Sequence, residues 1–264
     1  MISADNLKLT FGQGTPLENP ALRGMSLTVH QGEFVTVIGS NGAGKSTFLN
    51  ALAGEVLVDS GRIEVDGQDV TRLPTHRRAH RVARVFQDPL AGTCEGLTIE
   101  ENLALAIKRG QRRWLSAAVK RSYMDRFRTA LAKLNLGLEN RLGDKMGLLS
   151  GGQRQAVSLL MASLTPSAIL LLDEHTAALD PKTAAFVLEL TQEIIAEQKL
   201  TALMVTHSMK QALEVGDRTV MLHQGQVVFD IAGEERQGLE VKDLLDLFEK
   251  QRGLEVEDDS LLLG

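Results

Sequence analysis

The segment that decides the fold reads Gly39-Ser40-Asn41-Gly42-Ala43-Gly44-Lys45-Ser46-Thr47, between an apolar strand pattern at 34–38 and a helical pattern at 48–52. A G-x-x-x-x-G-K-[ST] sequence between a strand and a helix is a phosphate-binding P-loop. Its glycines let backbone N–H groups turn toward phosphate oxygens, and the helix N-terminus adds a partial positive charge. Lys45 supplies a point charge for the β- and γ-phosphates, and the Ser46 hydroxyl can ligate Mg²⁺. The segment therefore predicts a nucleotide site.

The composition is that of an ordinary globular protein, with 43% hydrophobic and 24% charged residues among 264. This length suits one large α/β domain, or a core with a sizeable subdomain. No run approaches the ~18 to 20 apolar residues of a membrane span, and no secretory signal is visible, so we expect a cytoplasmic protein. The single cysteine, Cys94, excludes an intrachain disulfide, and the net charge of -5 argues against a nucleic-acid binder.

Two adjacent carboxylates, Asp173 and Glu174, follow a fully apolar strand pattern at 168–172. Such a strand is typical of a parallel sheet that is buried on both faces. Carboxylates at the end of a buried strand are costly unless something nearby uses them. Because ligands bind at the carboxyl ends of parallel strands, we expect Asp173 to hold Mg²⁺ through water and Glu174 to act on the attacking water.

Other polar residues also follow predicted strands. Gln87 comes after the pattern at 82–86, and His207 comes after the pattern at 201–205. Both are expected at the same sheet edge as Asp173, which favours a functional role over a structural one. Phe11 ends the first strand pattern, at 7–11, just before a glycine-rich loop. It either stacks on an adenine face or fills the core at a strand end.

A second candidate anion site is Ser150-Gly151-Gly152-Gln153, which precedes an apolar-rich helix pattern at 156–164. A serine and two glycines at a helix N-terminus present unpaired backbone N–H groups and a hydroxyl. An ordinary serine N-cap would explain Ser150 but not the glycine pair.

The segment from 98 to about 135 predicts a capped, amphipathic helical region. Thr98-Ile99-Glu100-Glu101 is a capping-box pattern. Apolar residues then recur every fourth position, at Leu115, Val119, Tyr123, Phe127 and Leu131. Its basic face, like the basic run at 76–81, is typical of a solvated surface. The alternative for the helix is contact with anionic lipid or an acidic partner.

Together these motifs resemble the nucleotide-binding domain of the ABC ATPase superfamily, over roughly residues 5 to 232. The P-loop matches the Walker A motif, residues 169–173 match Walker B, and Leu149 to Gln153 match the ABC signature. The remaining matches are Phe11 at the aromatic A-loop position, Gln87 at the Q-loop, Ala178-Leu179-Asp180 at the D-loop and His207 at the H-switch. His175 stands where many relatives have proline, and we interpret it as tolerated loop variation.

The resemblance implies an α/β fold with a P-loop NTPase (RecA-like) core. An N-terminal antiparallel β subdomain and a helical subdomain inserted at about 93–162 would complete an ATPase domain over 1–232. A C-terminal helix and an acidic tail would follow at 233–264.

ATP and Mg²⁺ are the cofactors that the resemblance implies. The implied nucleotide-binding residues are Phe11, Gly39, Ser40, Asn41, Gly42, Ala43, Gly44, Lys45, Ser46, Thr47, Ser150, Gly151, Gly152, Gln153 and Asp180, and the implied metal ligands are Ser46, Gln87 and Asp173. Similar proteins pair head to tail, so that Ser150 of one chain reaches an ATP held by Lys45 of the other. Glu174 is the expected general base or water-orienting residue. His207 would hold the γ-phosphate, and Gln87 would couple the metal site to a membrane partner.

Three classes of ABC protein compete as interpretations. Nucleic-acid or ribosome-acting members carry a long coiled coil or two tandem domains, and this sequence shows neither. A soluble ATPase of the iron-sulfur cluster assembly type is the alternative to a transporter subunit. The long segment at 88–148, which docks a permease in similar transporters, favours transport. The segment at 140–147 lacks the acidic, glycine-rich loop of fused exporters, which favours a prokaryotic importer. The Asp173-Glu174-His175-Thr176 variant is similar to a group associated with uptake of small solutes, such as amino acids.

The expected partners are a second copy of the chain, an integral-membrane permease and, through the permease, an extracytoplasmic solute-binding protein, with no nucleic acid. The expected location is the inner face of the plasma membrane.

Overall fold

The strands form two sheets in the computed structural model, which describes residues 1–111 and 121–252. Within these residues the strands are β1 (Ile2–Phe11), β2 (Asn19–Val29), β3 (Phe34–Ile38), β4 (Ser60–Val65), β5 (Gln68–Asp69), β6 (Val82–Val85), β7 (Ile169–Asp173), β8 (Ala202–Val205), β9 (Arg218–His223) and β10 (Gln226–Ala232). The smaller sheet is antiparallel, in the order β2-β1-β4-β5. The main sheet has the order β10-β9-β3-β8-β7-β6 and is parallel except for β10.

The helices connect and cover these strands. In the described residues they are α1 (Lys45–Ala53), α2 (Thr75–Arg78), α3 (Ile99–Ile107), α4 (Arg121–Ala132), α5 (Gly151–Ser163), α6 (Pro181–Gln198), α7 (Met209–Glu214) and α8 (Val241–Arg252). None of these described helices combines the length and the apolar character that a bilayer-spanning helix requires.

Both faces of the main sheet are buried. On one face α1 packs between the two sheets, where Phe48, Leu49 and Leu52 share a core with strand residues such as Leu9 and Leu171. On the other face the apolar sides of α3 to α6 pack against β6, β7 and β8. Burial of one large apolar side chain stabilises the fold by about 1.5–3 kcal/mol. Successive residues of β7 pack into opposite layers, and burial of both sets determines which side chains face each layer.

The register of the parallel strands brings their carboxyl ends to one edge. Val37 of β3 pairs with Val205 of β8, Asp173 of β7 pairs with the same Val205, and Val85 of β6 pairs with Leu172. The predicted site residues lie at these ends or within two positions after them. The P-loop, Asp173 with Glu174, and the residues after β6 and β8 therefore meet along a single line.

The predicted fold class is confirmed, and several element ends differ from the prediction. α1 begins at Lys45 rather than at position 48, and α5 begins at Gly151 rather than at 156. The P-loop lysine and the signature glycines thus belong to first helical turns, where polar residues in α1 and glycines in α5 show no apolar period. β1 and β2 also start earlier than their alternating patterns, because the start of each strand pairs with the end of the other.

The predicted long helical region contains α3 and α4. The Thr98 capping box is present at the start of α3, and Phe127 and Leu131 of α4 are buried as predicted. Leu115 and Val119 lie outside the described residues, as does the acidic tail at 255–259. α8 shares a core with α7 through Leu244 and Phe248. The proposed division of the chain at residue 232 stays a prediction.

Arg78 is an exception to the expected solvated run at 76–81. Its side chain is buried and caps the C-terminal end of α1 by donating to the carbonyls of Ala51 and Leu52, at 2.6 and 3.0 Å. It also donates to the carbonyls of Thr71 and Leu73. Burial lowers the pKa of Arg78 to about 10. The helix that begins at the P-loop is therefore held at its far end by a buried guanidinium.

Candidate functional site

The P-loop forms a glycine-lined cradle at the start of α1. Gly44, the N-cap of this helix, has a left-handed backbone (φ 98°), and no side chain caps the helix start. A Cβ atom on Gly39 would lie 2.2 Å from the carbonyl oxygen of Leu222, and one on Gly44 would lie 2.7 Å from that of Ala21. Glycine is therefore required at both positions. The uncapped helix start leaves backbone N–H groups for an anion.

A cavity of about 200 Å³ lies over this cradle. Its lining consists of Phe11, Asn19, Ala21, residues 41–47 and Glu174. Phe11 is exposed at the end of β1, so its ring lies at the cavity and is not a core residue. This placement favours the adenine-stacking interpretation of Phe11 over the core interpretation.

Lys45 is buried beneath the P-loop. Its Nζ donates to the carbonyl oxygens of Gly39 and Ser40, at 2.5 and 3.1 Å. Burial lowers the pKa of Lys45, while the negative charges of Glu174 and Asp173 oppose that shift. The ammonium group is thus held by loop carbonyls and by two acids at the same sheet edge, where phosphate oxygens can replace the carbonyls.

Asp173 ends β7 in an ion pair that the sequence did not reveal. Its Oδ2 accepts from Nη2 of Arg84 at 2.5 Å, and both side chains are largely buried. Arg84 belongs to β6, the neighbouring strand. The sign of this ion pair in the sequence is a single arginine inside an apolar strand pattern. Its partner can be identified only once the strand order is known, because β6 and β7 are neighbours.

Glu174 and His207 lie side by side at the same edge. Nδ1 of His207 is 3.6 Å from Oε2 of Glu174. Glu174 has a left-handed backbone (φ 42°), which is rare for residues other than glycine and turns the chain sharply after β7. The end of β8 and the end of β7 thereby bring these two side chains together.

His175, which stands where many relatives have proline, is a buried residue. Its Nε2 lies 2.9 Å from Oγ1 of Thr191, and that hydroxyl donates to the carbonyl of Val187 at 2.7 Å. Because the Thr191 proton is used there, His175 donates from Nε2. Burial lowers the pKa of His175 to about 4, so the ring is neutral at pH 7. The ring ties the turn after Glu174 to α6.

The signature residues stand apart from the cavity. Ser150 is the N-cap of α5, where its Oγ accepts from the backbone N–H of Gln153 at 3.3 Å and its own backbone N–H donates to Oε1 of Gln153 at 3.2 Å. A Cβ atom on Gly152 would lie 2.0 Å from Cγ2 of Thr183 in α6. Helix capping and close packing therefore explain Ser150 and Gly152 within one chain, whereas Gly151 is exposed.

Asp180 and Gln87 also lie outside the lining of this cavity. Asp180 is the N-cap of α6 and accepts from the backbone N–H of Thr183 at 3.2 Å. Hydrogen bonds from Thr183 lower the pKa of Asp180. Gln87 is exposed, two residues after β6 ends. One chain thus groups Phe11, the P-loop, Asp173, Glu174 and His207.

The grouped residues fit a nucleotide with a magnesium ion. The glycine cradle, the uncapped helix start and the Lys45 ammonium suit phosphate oxygens. Ser46 and Asp173 offer one hydroxyl and one carboxylate. Mg²⁺ binds in this way when it keeps several waters and shares phosphate oxygens with the protein.

Comparisons with known proteins agree with this arrangement. The profile of the ABC transporter family matches residues 22 to 177. The chain is 44% identical over 249 residues to a tyrosine transport ATP-binding protein of Clostridioides difficile (strain R20291), with 94% of this chain and 99% of that protein covered. It is 37% identical over 204 residues to the thiamine import ATP-binding protein ThiQ of Escherichia coli (strain K12), with 77% and 83% covered.

A solved structure supports the fold as well. A dimeric, post-hydrolysis state of the ATP-binding cassette MJ0796 bound to ADP and Pi superposes with a TM-score of 0.74 at 28% identity. The superposition covers 90% of this chain and 100% of that one.

The contact between Gly152 and Thr183 yields a prediction about stability. Gly152→Ala places a methyl group against Cγ2 of Thr183 and should lower the free energy of unfolding by about 1–3 kcal/mol, as overpacking does. Urea denaturation of the purified protein measures this change. Gly151→Ala is the matched control, because its nearest contact, Leu179 Cδ2 at 3.6 Å, is an ordinary one.

A second substitution in the Gly152→Ala protein tests the same contact more strictly. Thr183→Ser removes the clashing methyl group, so the double variant should regain most of the stability that Gly152→Ala loses. A Gly152→Ala protein as stable as the parent would contradict the packing explanation of this glycine.

Proposed function

The chain belongs to the ABC transporter family, and from this membership we propose that it is the ATP-hydrolysing, energy-coupling subunit of an importer whose permease is a separate chain. One observation carries the proposal: the P-loop, Glu174 and His207 meet at one edge of a parallel sheet, beside Asp173. The relatives named as import and transport ATP-binding proteins support the importer class, and none of them favours iron-sulfur cluster assembly.

Each residue at the edge has a distinct part in hydrolysis. The P-loop N–H groups and Lys45 bind and orient the β- and γ-phosphates. Ser46 and Asp173 would hold Mg²⁺, which would neutralise charge on the phosphate oxygens. The Glu174 carboxylate orients the attacking water and accepts its proton. His207, 3.6 Å from that carboxylate, lies where it can contact the γ-phosphate.

A second copy of the chain completes the proposed site. Gly151 and the Ser150 side chain are exposed at the start of α5, away from the cavity of their own chain. An exposed helix N-terminus attracts anions, and a head-to-tail pair would direct it at the γ-phosphate bound to the partner. The dimeric ATP-binding cassette that resembles this chain supports such a pair. The Asp180 turn would lie at the same interface.

The permease would dock in a groove beside Gln87. This groove has a volume of about 800 Å³ and lies between the residues after β6 and helices α3 and α5. Phe86, Leu105 and Met161 give it an apolar floor, and Arg77 and Lys108 give it a basic rim. A short helix of a membrane protein with apolar and acidic side chains fits this chemistry. Docking there would hold the chain at the inner face of the plasma membrane.

The cargo class follows only from the relatives. A transport protein 44% identical to this chain carries the name of tyrosine transport, which supports uptake of an amino acid, with an extracytoplasmic solute-binding protein delivering it. None of the site residues described here would touch the cargo, because they lie at the nucleotide.

Glu174→Gln tests the assignment of the ATPase site. Removing the acceptor for the proton of the attacking water should lower the hydrolysis rate roughly 10²–10⁴-fold. ATP binding should persist and favour a stable pair of chains. Phosphate release and light scattering with ATP measure the two effects. Hydrolysis at the parent rate would refute the role of Glu174.

Leu90→Asp tests the permease surface. Leu90 is 45% exposed and directly precedes Ala91 and Gly92, which line the groove. An acidic side chain there should reduce recovery of the protein with native membranes several-fold, because it must be desolvated against the partner. Leu57→Asp, at a site 46% exposed and outside the groove, is the matched control. Equal membrane recovery of both variants would place the docking surface elsewhere.

A further inference from the structure

Arg84 lies next to the carboxylate of Asp173, which is proposed to bind the metal ion. Its side chain is only 10% exposed, and a buried arginine normally has a partner. Nη2 donates to Oδ2 of Asp173 at 2.5 Å. Nη1 donates to Oδ1 of Asn50 at 2.7 Å and pairs with Oε1 of Glu55 at 2.8 Å. The guanidinium is therefore held by three side chains.

These contacts tie Asp173 to the helix that carries the P-loop. Asn50 lies in α1, five residues after Lys45, and Glu55 follows the end of that helix. The ring of Phe86 lies against the guanidinium, with its centroid 4.8 Å from Cζ. A cation held on its face and at both Nη atoms has little freedom to move. The position of the Asp173 carboxylate is thus fixed relative to Ser46 and Lys45.

The bond leaves one carboxylate oxygen available. Arg84 bonds Oδ2 of Asp173. Within residues 1–111 and 121–252, Oδ1 of Asp173 makes no side-chain hydrogen bond. Ligating carboxylates in metal sites are commonly fixed by a hydrogen bond of this kind, and loss of the outer partner typically costs 10–100-fold in metal affinity. The positive charge also offsets the repulsion between Asp173 and Glu174.

We propose that Arg84 is a positioning residue that fixes the Asp173 carboxylate for the metal ion of the nucleotide. This inference rests on the proposed ATPase function. Arg84 acts through Asp173, because it bonds that carboxylate and does not line the cavity over the P-loop. Packing alone is a poor explanation for it, because its buried Nε makes no hydrogen bond among the described residues.

The test uses the full chain, Mn²⁺ as the probe and a non-hydrolysable ATP analogue. Arg84→Met should weaken Mn²⁺ binding, measured by electron paramagnetic resonance, roughly 10–100-fold. Binding of the analogue in EDTA, without metal, should stay close to the parent value, which also reports that the variant is folded. Arg84→Lys, which keeps the charge but not the fork, should lie between the parent and Arg84→Met.

Glu55→Gln is the matched control. It removes the charge of the other carboxylate partner but keeps an oxygen acceptor for Nη1, and the bonds to Asn50 and Asp173 stay, so Mn²⁺ affinity should fall much less than in Arg84→Met. If Glu55→Gln weakened Mn²⁺ binding as much as Arg84→Met does, the effect would come from the packing of this cluster and not from the bond to Asp173.

Each remaining outcome decides the question. If Arg84→Met no longer binds the analogue without metal, its nucleotide site is disrupted. The Mn²⁺ affinity of Arg84→Lys then decides the question. Parent-like Mn²⁺ affinity in the folded Arg84 variants would overturn the inference, even if membrane recovery fell, because Arg84 would then serve only the groove that it also lines. A parent protein that binds no Mn²⁺ with the analogue would instead contradict the proposed function.

Discussion

Parallel pairing of β3, β8, β7 and β6 is the constraint on which the site depends. A parallel ladder aligns the carboxyl ends of strands that are far apart in the chain, and it is stable only when both faces are covered. α1 with the antiparallel sheet covers one face, and α3 to α6 cover the other. Burial of the sheet thus places a lysine, two acids and a histidine at one edge.

The charges at this edge are held in pairs rather than left free. Asp173 meets Arg84, Glu174 lies beside His207, and both acids oppose the effect of burial on Lys45. An unpaired charge at such depth would cost several kcal/mol. The pairs keep the edge charged before phosphate arrives. Electrostatic stabilisation of a transferring phosphoryl group depends on that kind of preorganisation.

Local sequence patterns predicted the residues that follow strands, and the structure brings several of them together. Strand periodicity and a terminal polar residue are local signals, so Asp173, Glu174 and His207 were identifiable without coordinates. Arg84 and His175 were not, because their roles depend on Asp173 and Thr191, which lie in other elements.

Helix starts show the same limit. The first turn of α1 is polar and that of α5 begins with two glycines, so neither shows an apolar period and both helices were predicted to begin later than they do. Gly152 is a further example: it must have a hydrogen atom in place of a Cβ because of Thr183 in α6, thirty-one positions along the chain. Contacts between distant elements fixed these details.

If a complete ATPase site needs two copies of the chain, two variants that are inactive alone should restore hydrolysis when they are mixed. Lys45→Met disables phosphate binding, and Gly151→Asp places a negative charge on the exposed start of α5. In a head-to-tail pair of one copy of each, one site has both an intact Lys45 and an intact Gly151. The account predicts that each variant alone hydrolyses ATP poorly and that the mixture regains activity. A mixture as inactive as its components, or a Gly151→Asp protein as active as the parent, would contradict it.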